Sequence, residues 1–166
     1  MEQDEPRNTP LAEERETLPI RRFGEQADGY RWGEVPLLAY KPDGTHFKGI
    51  TRQILFGEEE GLSCQLRYFE IEPGGHSTLE KHEHEHAVLI LQGRGRVLVG
   101  DAVYDVTPFD LVYVSSMTWH QFRADDQDGL GFLCLVPCDR DRPTRPNAEA
   151  ADALRAHPAI GDFIRL

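Results

Sequence analysis

The sequence predicts an all-β protein, a sandwich or barrel of short strands. Three observations carry this reading. From Gly29 onward the chain is a succession of short runs rich in Val, Ile, Leu, Tyr and Phe: VPLLAY, ITRQILFG, LSCQLRYFEIEPGG, HAVLILQGRG, RVLVGDAVYDVTP, DLVYVSS, HQFRAD and GFLCLVP. Turn-forming stretches such as PGG, QGRG, VGDA and QDG punctuate them at fairly even spacing. The runs follow one another without the intervening helical segments that βαβ units require.

Taken in order, residues 1–22 are charged, polar and broken by prolines, and predict a mobile N-terminal arm. Residues 23–142 hold the strand-like runs and form the barrel domain. Within them YKPDGTHFKGITRQILFG, residues 40–57, reads as a turn and then a strand that adds an edge to the sheet and offers a homodimer contact. His46 in this segment has no companion at ligand spacing and is taken as structural. The run CDRDRPTRP, residues 138–146, reads as a solvated, proline-broken linker. In the tail, residues 143–166, Asn147 is placed to cap AEAADALRAH, and Pro158 stops it, so one short helix is expected.

Composition bounds the function. A chain of 166 residues, 39 % hydrophobic, suits one domain with one core. A formal net charge of -11 argues against nucleic acid and against an anionic membrane surface, both of which need a basic face. No stretch approaches the roughly twenty apolar residues of a membrane span, and the acidic N-terminus lacks the apolar segment of a secretory signal. Cys64, Cys134 and Cys138 are too few, and odd in number, for a disulfide framework, which points to a reducing cytoplasm.

The segment GGHSTLEKHEHEHAVLILQG, residues 74–93, places four of the seven histidines within eleven positions. In an extended chain Glu80, His82, His84 and His86 share one face, with Lys81, Glu83 and Glu85 on the other. Such a string is either a solvated strand end, its imidazoles balanced by glutamates, or a metal site. The flanking turn and apolar run, together with His120 after the later strand DLVYVSS, favour the metal.

These residues resemble the first and second motifs of the cupins. The first motif, G-x5-H-x-H-x3-E-x6-G, falls on Gly74, Glu80, His82, His86 and Gly93, with Glu80 standing for a histidine and His86 for the glutamate. The second falls on Pro108-Phe109-Asp110 and His120, with Phe109 where the family has glycine. The resemblance spans residues 65–137 and implies a double-stranded β-helix, or jelly-roll barrel. Pairing His82 with His84 would put the next ligand at Val88, which cannot coordinate, whereas pairing Glu80 with His82 puts it at His86. The implied ligand set is Glu80, His82, His86 and His120, with His84 in the link near the mouth as the alternative and His76 a loop residue.

Such a set suits one divalent transition metal, with Fe(II) or Mn(II) favoured by the carboxylate and Ni, Co, Cu or Zn also compatible. Four protein ligands on an octahedral ion leave two positions for a small-molecule substrate and dioxygen or water. The expected function is therefore a metal-dependent oxidoreductase, a dioxygenase of a small organic substrate. The alternatives are a redox-neutral lyase, isomerase or decarboxylase and a ligand-binding sensor. Glu80, able to leave the metal and move a proton, and Cys134, expected on the last barrel strand near the ion, are the candidate catalytic residues. Trp119 is assigned to the barrel wall.

Overall fold

Side chains that alternate between two faces of each strand curl the chain into an antiparallel barrel whose inner rows are apolar except at one end. The structure, a computed structural model, describes residues 19–26 and 29–166; residues 1–18 of the expected arm lie outside the described residues. A short ladder of β1 (Phe23–Gln26) and β2 (Gly29–Trp32) stands apart from the main sheet. The sheet itself contains β3 (Leu38–Ala39), β4 (Lys48–Phe56), β5 (Cys64–His76), β6 (His86–Gly93), β7 (Gly95–Val99), β8 (Ala102–Val106), β9 (Leu111–Val114), β10 (His120–Ala124) and β11 (Leu130–Pro137). Its order is β8-β7-β10-β5-β11-β6-β9, with β4 also against β5 and β3 against β4.

The fold is the expected jelly roll. β5 makes this possible by changing partners along its length. Its first part pairs with β11, from Cys64 opposite Pro137 to Ile71 opposite Leu130, and its last residue, His76, pairs with Arg123 of β10. Between them Gly74 takes a left-handed φ of 69° and donates its N–H to the Asp125 carbonyl at 2.8 Å, turning the strand from one half of the sheet to the other. The chain then runs beside β10, where Ser77 N–H donates to Phe122 and Glu80 exchanges backbone hydrogen bonds with His120.

The inner rows explain where the polar end lies. On β6 the buried row is His86, Val88, Ile90; on β10 it is His120, Phe122, Ala124; on β11 it is Leu130, Phe132, Cys134, Val136. Each of the first two rows opens with a histidine at the same end of the barrel. The apolar members form the main core with Ile50, Phe69, Ile71 and Val97. At about 25 cal/mol per Å² of apolar surface removed from water, these rows are the chief source of stability.

A second cluster lies outside the barrel. Helix α1 (Ala148–Ala156), capped by Asn147 whose side chain accepts from Ala150 N–H, leads to Ile160, Phe163 and Ile164, which pack on Leu79 and Leu98. Gln121, wholly buried, fastens this tail. Its amide donates to the carbonyls of Ser77 and Arg165 and its oxygen accepts from Arg165 N–H.

Two details differ from the sequence reading. The stretch read as extended is not a continuous strand: Glu80 and Lys81 form isolated bridges with His120 and Thr144, as residues 77–85 cross from one sheet half to β6. The linker 138–146 is not simply solvated. Asp141 and Arg140 turn toward the barrel end, as described below.

Phe109 keeps the turn that glycine makes elsewhere, with φ 74° and its ring exposed. Replacing it by glycine removes left-handed strain, so Phe109→Gly is expected to raise stability by about 1 kcal/mol in urea unfolding. Gly93→Ala should do the reverse. A Cβ there would sit 1.8 Å from the Gly129 carbonyl oxygen, at φ 77°, and a loss of more than about 2 kcal/mol is expected.

Candidate metal centre

His82, His86 and His120 converge at the polar barrel end. One ring nitrogen of each lies within 4.8 Å of the others, and all three residues are buried. The ring centroids are 4.5 Å apart for His82 and His86, 4.8 Å for His82 and His120, and 5.1 Å for His86 and His120. Backbone carbonyls fix two tautomers: His82 Nδ1–H donates to His84 O at 2.7 Å, and His120 Nδ1–H to Thr118 O at 3.0 Å. Their Nε2 atoms are thereby left with free lone pairs. His82 Nε2 is buried and has no hydrogen-bond partner.

Burial, then the neighbouring His120 and His84, pushes His82 down from 6.5 to about 4. His86 and His120 are lowered as well, first by burial. At neutral pH the cluster is therefore three uncharged imidazoles aimed at one point. Two nitrogens bound to one ion at about 2.1 Å each lie at most about 4.2 Å apart, so a small inward movement of the rings suffices to hold a divalent metal. The residues fit the group that the motifs imply.

Glu80 is buried beside the cluster, but its Oε2 accepts a hydrogen bond from Lys41 Nζ at 2.6 Å, and Lys41 also donates to Thr78 Oγ1. Its carboxylate is not among the atoms within 4.8 Å of one another. His84 is buried too. Its ring stacks on His82 at 3.7 Å, and its Nδ1 lies 2.6 Å from Asp141 Oδ1. Asp141 accepts backbone N–H groups from Glu83 and His84, which, with the His84 ring, hold its carboxyl well below the usual range. His82, His84 and Asp141 thus form a second triple of close donor atoms. The expected alternation of residues 80–86 survives in burial, with Glu80, His82, His84 and His86 inside, even though the backbone is not a regular strand.

A cavity of about 200 Å³ opens over the imidazoles. Cys134 lines it, as do Tyr40, Lys41, Arg52, Arg67 and Arg140, none of which the sequence reading placed there. Burial pushes the Cys134 thiol up; the Arg67 guanidinium, donating to Sγ at 3.4 Å, acts in the opposite direction. Trp119 is half-buried outside the cavity, in the cluster with Leu79 and Leu98, under Lys81 Nζ. His46 stands edge-on to Phe47, and His76 bonds the Ser77 carbonyl.

Comparison with known proteins agrees with this geometry. Residues 67–136 match the cupin domain family. Over 155 residues the chain is 48 % identical to 1-methylthio-D-xylulose 5-phosphate methylsulfurylase of Rhodospirillum rubrum, covering 93 % of this chain and 97 % of the relative. The chain belongs to the cupin family. A cupin-2 domain crystal structure from Rhodospirillum rubrum aligns with a TM-score of 0.77 at 50 % identity, over 88 % of this chain and 96 % of that one. A 5-nitrosalicylic acid 1,2-dioxygenase of Bradyrhizobium is 28 % identical over 93 residues, 51 % of this chain and 43 % of its own length. The cupin therefore has a relative named as an enzyme across nearly its whole length, and a three-histidine group able to hold a metal.

Elemental analysis of variants tests the ligand set. His82→Ala, His86→Ala and His120→Ala are each expected to lose most bound metal, His84→Ala to keep most of it, and Glu80→Gln to weaken retention. For the metal-free protein the pH dependence follows from His82, His86 and His120, all held below the ordinary imidazole range by burial. Between about pH 4 and 6.5 the unfolded chain binds a proton that the folded chain refuses, so stability is fully present above that window and falls as pH drops through it. The loss is on the order of 3 kcal/mol from His82, at about 1.4 kcal/mol per unit. Thermal unfolding from pH 7.5 to 4.5 should show it, and His82→Phe should make the curve shallower while His86 and His120 keep part of its slope.

Proposed function

We propose that this cupin is a metal-dependent enzyme that breaks the carbon–sulfur bond of a methylthio-substituted keto-sugar phosphate, the type of compound named for its Rhodospirillum rubrum relative. The observation that carries the reading is Cys134. It is the cavity's thiol, on β11 between β6, which bears His86, and β5, which bears Arg67. A thiol is the side chain whose chemistry matches the handling of a methylsulfur group.

His82, His86 and His120 would hold the ion, Fe(II) or Mn(II) by the donor set, with Glu80 as a further oxygen donor once it leaves Lys41. When bound, the ion supplies Lewis acidity toward a ketone oxygen. Cys134 Sγ attacks the methylthio sulfur. The thiol proton passes to the Glu80 carboxylate, once that is free of Lys41 and the ion; the Sγ–S bond forms, the S–C1 bond breaks, and its electron pair passes to C1 as an enolate that takes the same proton back from Glu80. The carbon is reduced and the cysteine oxidised to a methyl disulfide, which a small external thiol reduces. Arg67 is placed to stabilise the attacking thiolate.

The dioxygenase expected from the sequence is supported by the nitrogen and oxygen donors and by the Bradyrhizobium relative over half of the chain; the cavity thiol favours carbon–sulfur cleavage. Three unpaired cysteines suit a reducing cytoplasm. The part of β4 that the two-residue β3 leaves uncovered offers an edge for a homodimer. A small-molecule substrate, rather than nucleic acid or membrane, suits the net charge of -11.

Metal-loaded protein with 1-methylthio-D-xylulose 5-phosphate and dithiothreitol should lose the S-methyl proton resonance of the substrate without consuming dioxygen. Cys134→Ser should cut turnover by at least about 100-fold with metal content unchanged. Without dithiothreitol, intact-protein mass should rise by one methylthio group in place of a hydrogen. Dioxygen uptake tied to turnover would replace this reading with the oxygenase.

A further inference from the structure

We propose that Arg52, Arg67 and Arg140 form a phosphate subsite in the wall of the cavity, and that it holds the phosphate of a sugar-phosphate substrate. This rests on the proposed function for the identity of the substrate, but its evidence is independent.

The three guanidiniums come from three places in the chain. Arg52 is on β4 and Arg67 on β5, where they occupy the same inward rows as Ile50 and as Phe69 and Ile71. Arg140 follows β11 and is steadied there by the carbonyls of Pro137 and Cys138 and by Gln65 Oε1. Inward barrel positions are ordinarily apolar, so two arginines there need a reason. Arg67 is only 9 % exposed, and the Nε atoms of both Arg52 and Arg67 are buried without a hydrogen-bond partner.

Charge makes the point sharper. The chain carries 29 acidic and 18 basic residues, yet among the described residues no carboxylate forms an ion pair with Arg52, Arg67 or Arg140. The cavity's own carboxylate, Glu80, is bound to Lys41. Burial, then the neighbouring Arg67, lowers the pKa of both Arg52 and Arg140. Like charges gathered in a partly buried wall without counter-ions destabilise the fold, and such a cluster is stabilised when a dianion enters. A phosphate monoester, with three terminal oxygens for the planar forks of several guanidiniums, has the matching charge and geometry. Across the sheet Cys134 on β11 stands opposite Arg67 on β5 and Val88 on β6; His86 lies two residues from Val88 along β6, and Arg52 on β4 stands opposite Phe69, two residues from Arg67 along β5. A substrate whose phosphate rests on these arginines has Cys134, which Arg67 touches, and the imidazoles within the same cavity.

The test uses metal-loaded full-length protein, with inorganic phosphate and D-xylulose 5-phosphate as probes and D-xylulose as control. Titration calorimetry should show xylulose 5-phosphate binding at least tenfold more tightly than xylulose, and phosphate should raise the melting temperature. Arg52→Gln and Arg140→Gln are the informative variants, because Arg67 also touches Cys134. Each should weaken binding of both phosphate probes at least tenfold, raise KM for a phosphorylated substrate far more than it lowers kcat, and keep metal content. Arg52→Gln should also leave the phosphate-free protein as stable as the parent or more so, which a purely structural arginine would not do. The proposal is overturned if phosphate shifts neither parent nor variants, if the variants bind it as the parent does, or if unphosphorylated 1-methylthio-D-xylulose is processed as efficiently as its phosphate. The last result would leave the carbon–sulfur reading standing. Phosphate binding lost in the variants, with the carbon–sulfur bond left intact by the parent, would support the subsite and sink that reading instead.

Discussion

Imidazoles taken out of water beside one another stay neutral, and the arrangement of the barrel end follows from that constraint. A partner for the Nδ1–H of a ring fixes the opposite nitrogen as the one that keeps the lone pair. For His82 and His120 that partner is a carbonyl two residues away in the chain, at His84 and Thr118. The backbone must therefore leave regular strand geometry at both places, and it does so in the crossing from residue 77 to 85 and in the turn before β10. His86 needs no such departure, since it is simply the first inward residue of β6.

The same constraint distributes charge around the site. Lys41 meets Glu80, Asp141 meets His84, and both carboxylates stand at the edge of the imidazole cluster. Arg52, Arg67 and Arg140 line the same cavity. A cavity of about 200 Å³ is so lined by two unlike sets of groups, imidazole lone pairs and guanidiniums, together with Cys134.

Much of this was legible in the chain. Short apolar runs with Gly and Pro between them gave the barrel, and period-two spacing from Glu80 to His86 gave the inward face. Asn147 and Pro158 marked the terminal helix. What escaped the reading had no local signature. Arg67 sits in LRYFEIE, where Leu66 and Tyr68 are as apolar as Phe69 and Ile71, so the inner and outer rows of β5 look alike. Arg52 lies on a strand whose pairing slips at two places, between Lys48 and Ile50 and between Ile54 and Phe56, which scrambles the alternation. Asp141 and Arg140 belong to a charged, proline-broken segment that reads as solvent-facing until the fold brings it back over His84 and Gln65. The grip of Lys41 on Glu80 joins residues 39 positions apart.

Gln121 gives the last stretch of the chain a share in the chemistry at the opposite surface of β10. Its buried amide is the neighbour of His120, and two of its three hydrogen bonds end on Arg165. Trimming the residues after Phe163 would strand a polar group in the interior one peptide bond from a histidine of the metal cluster. Peptidase access to the tail, or a fusion that pulls Arg165 from its seat, would thus be felt as loosened geometry at the centre rather than as a frayed end.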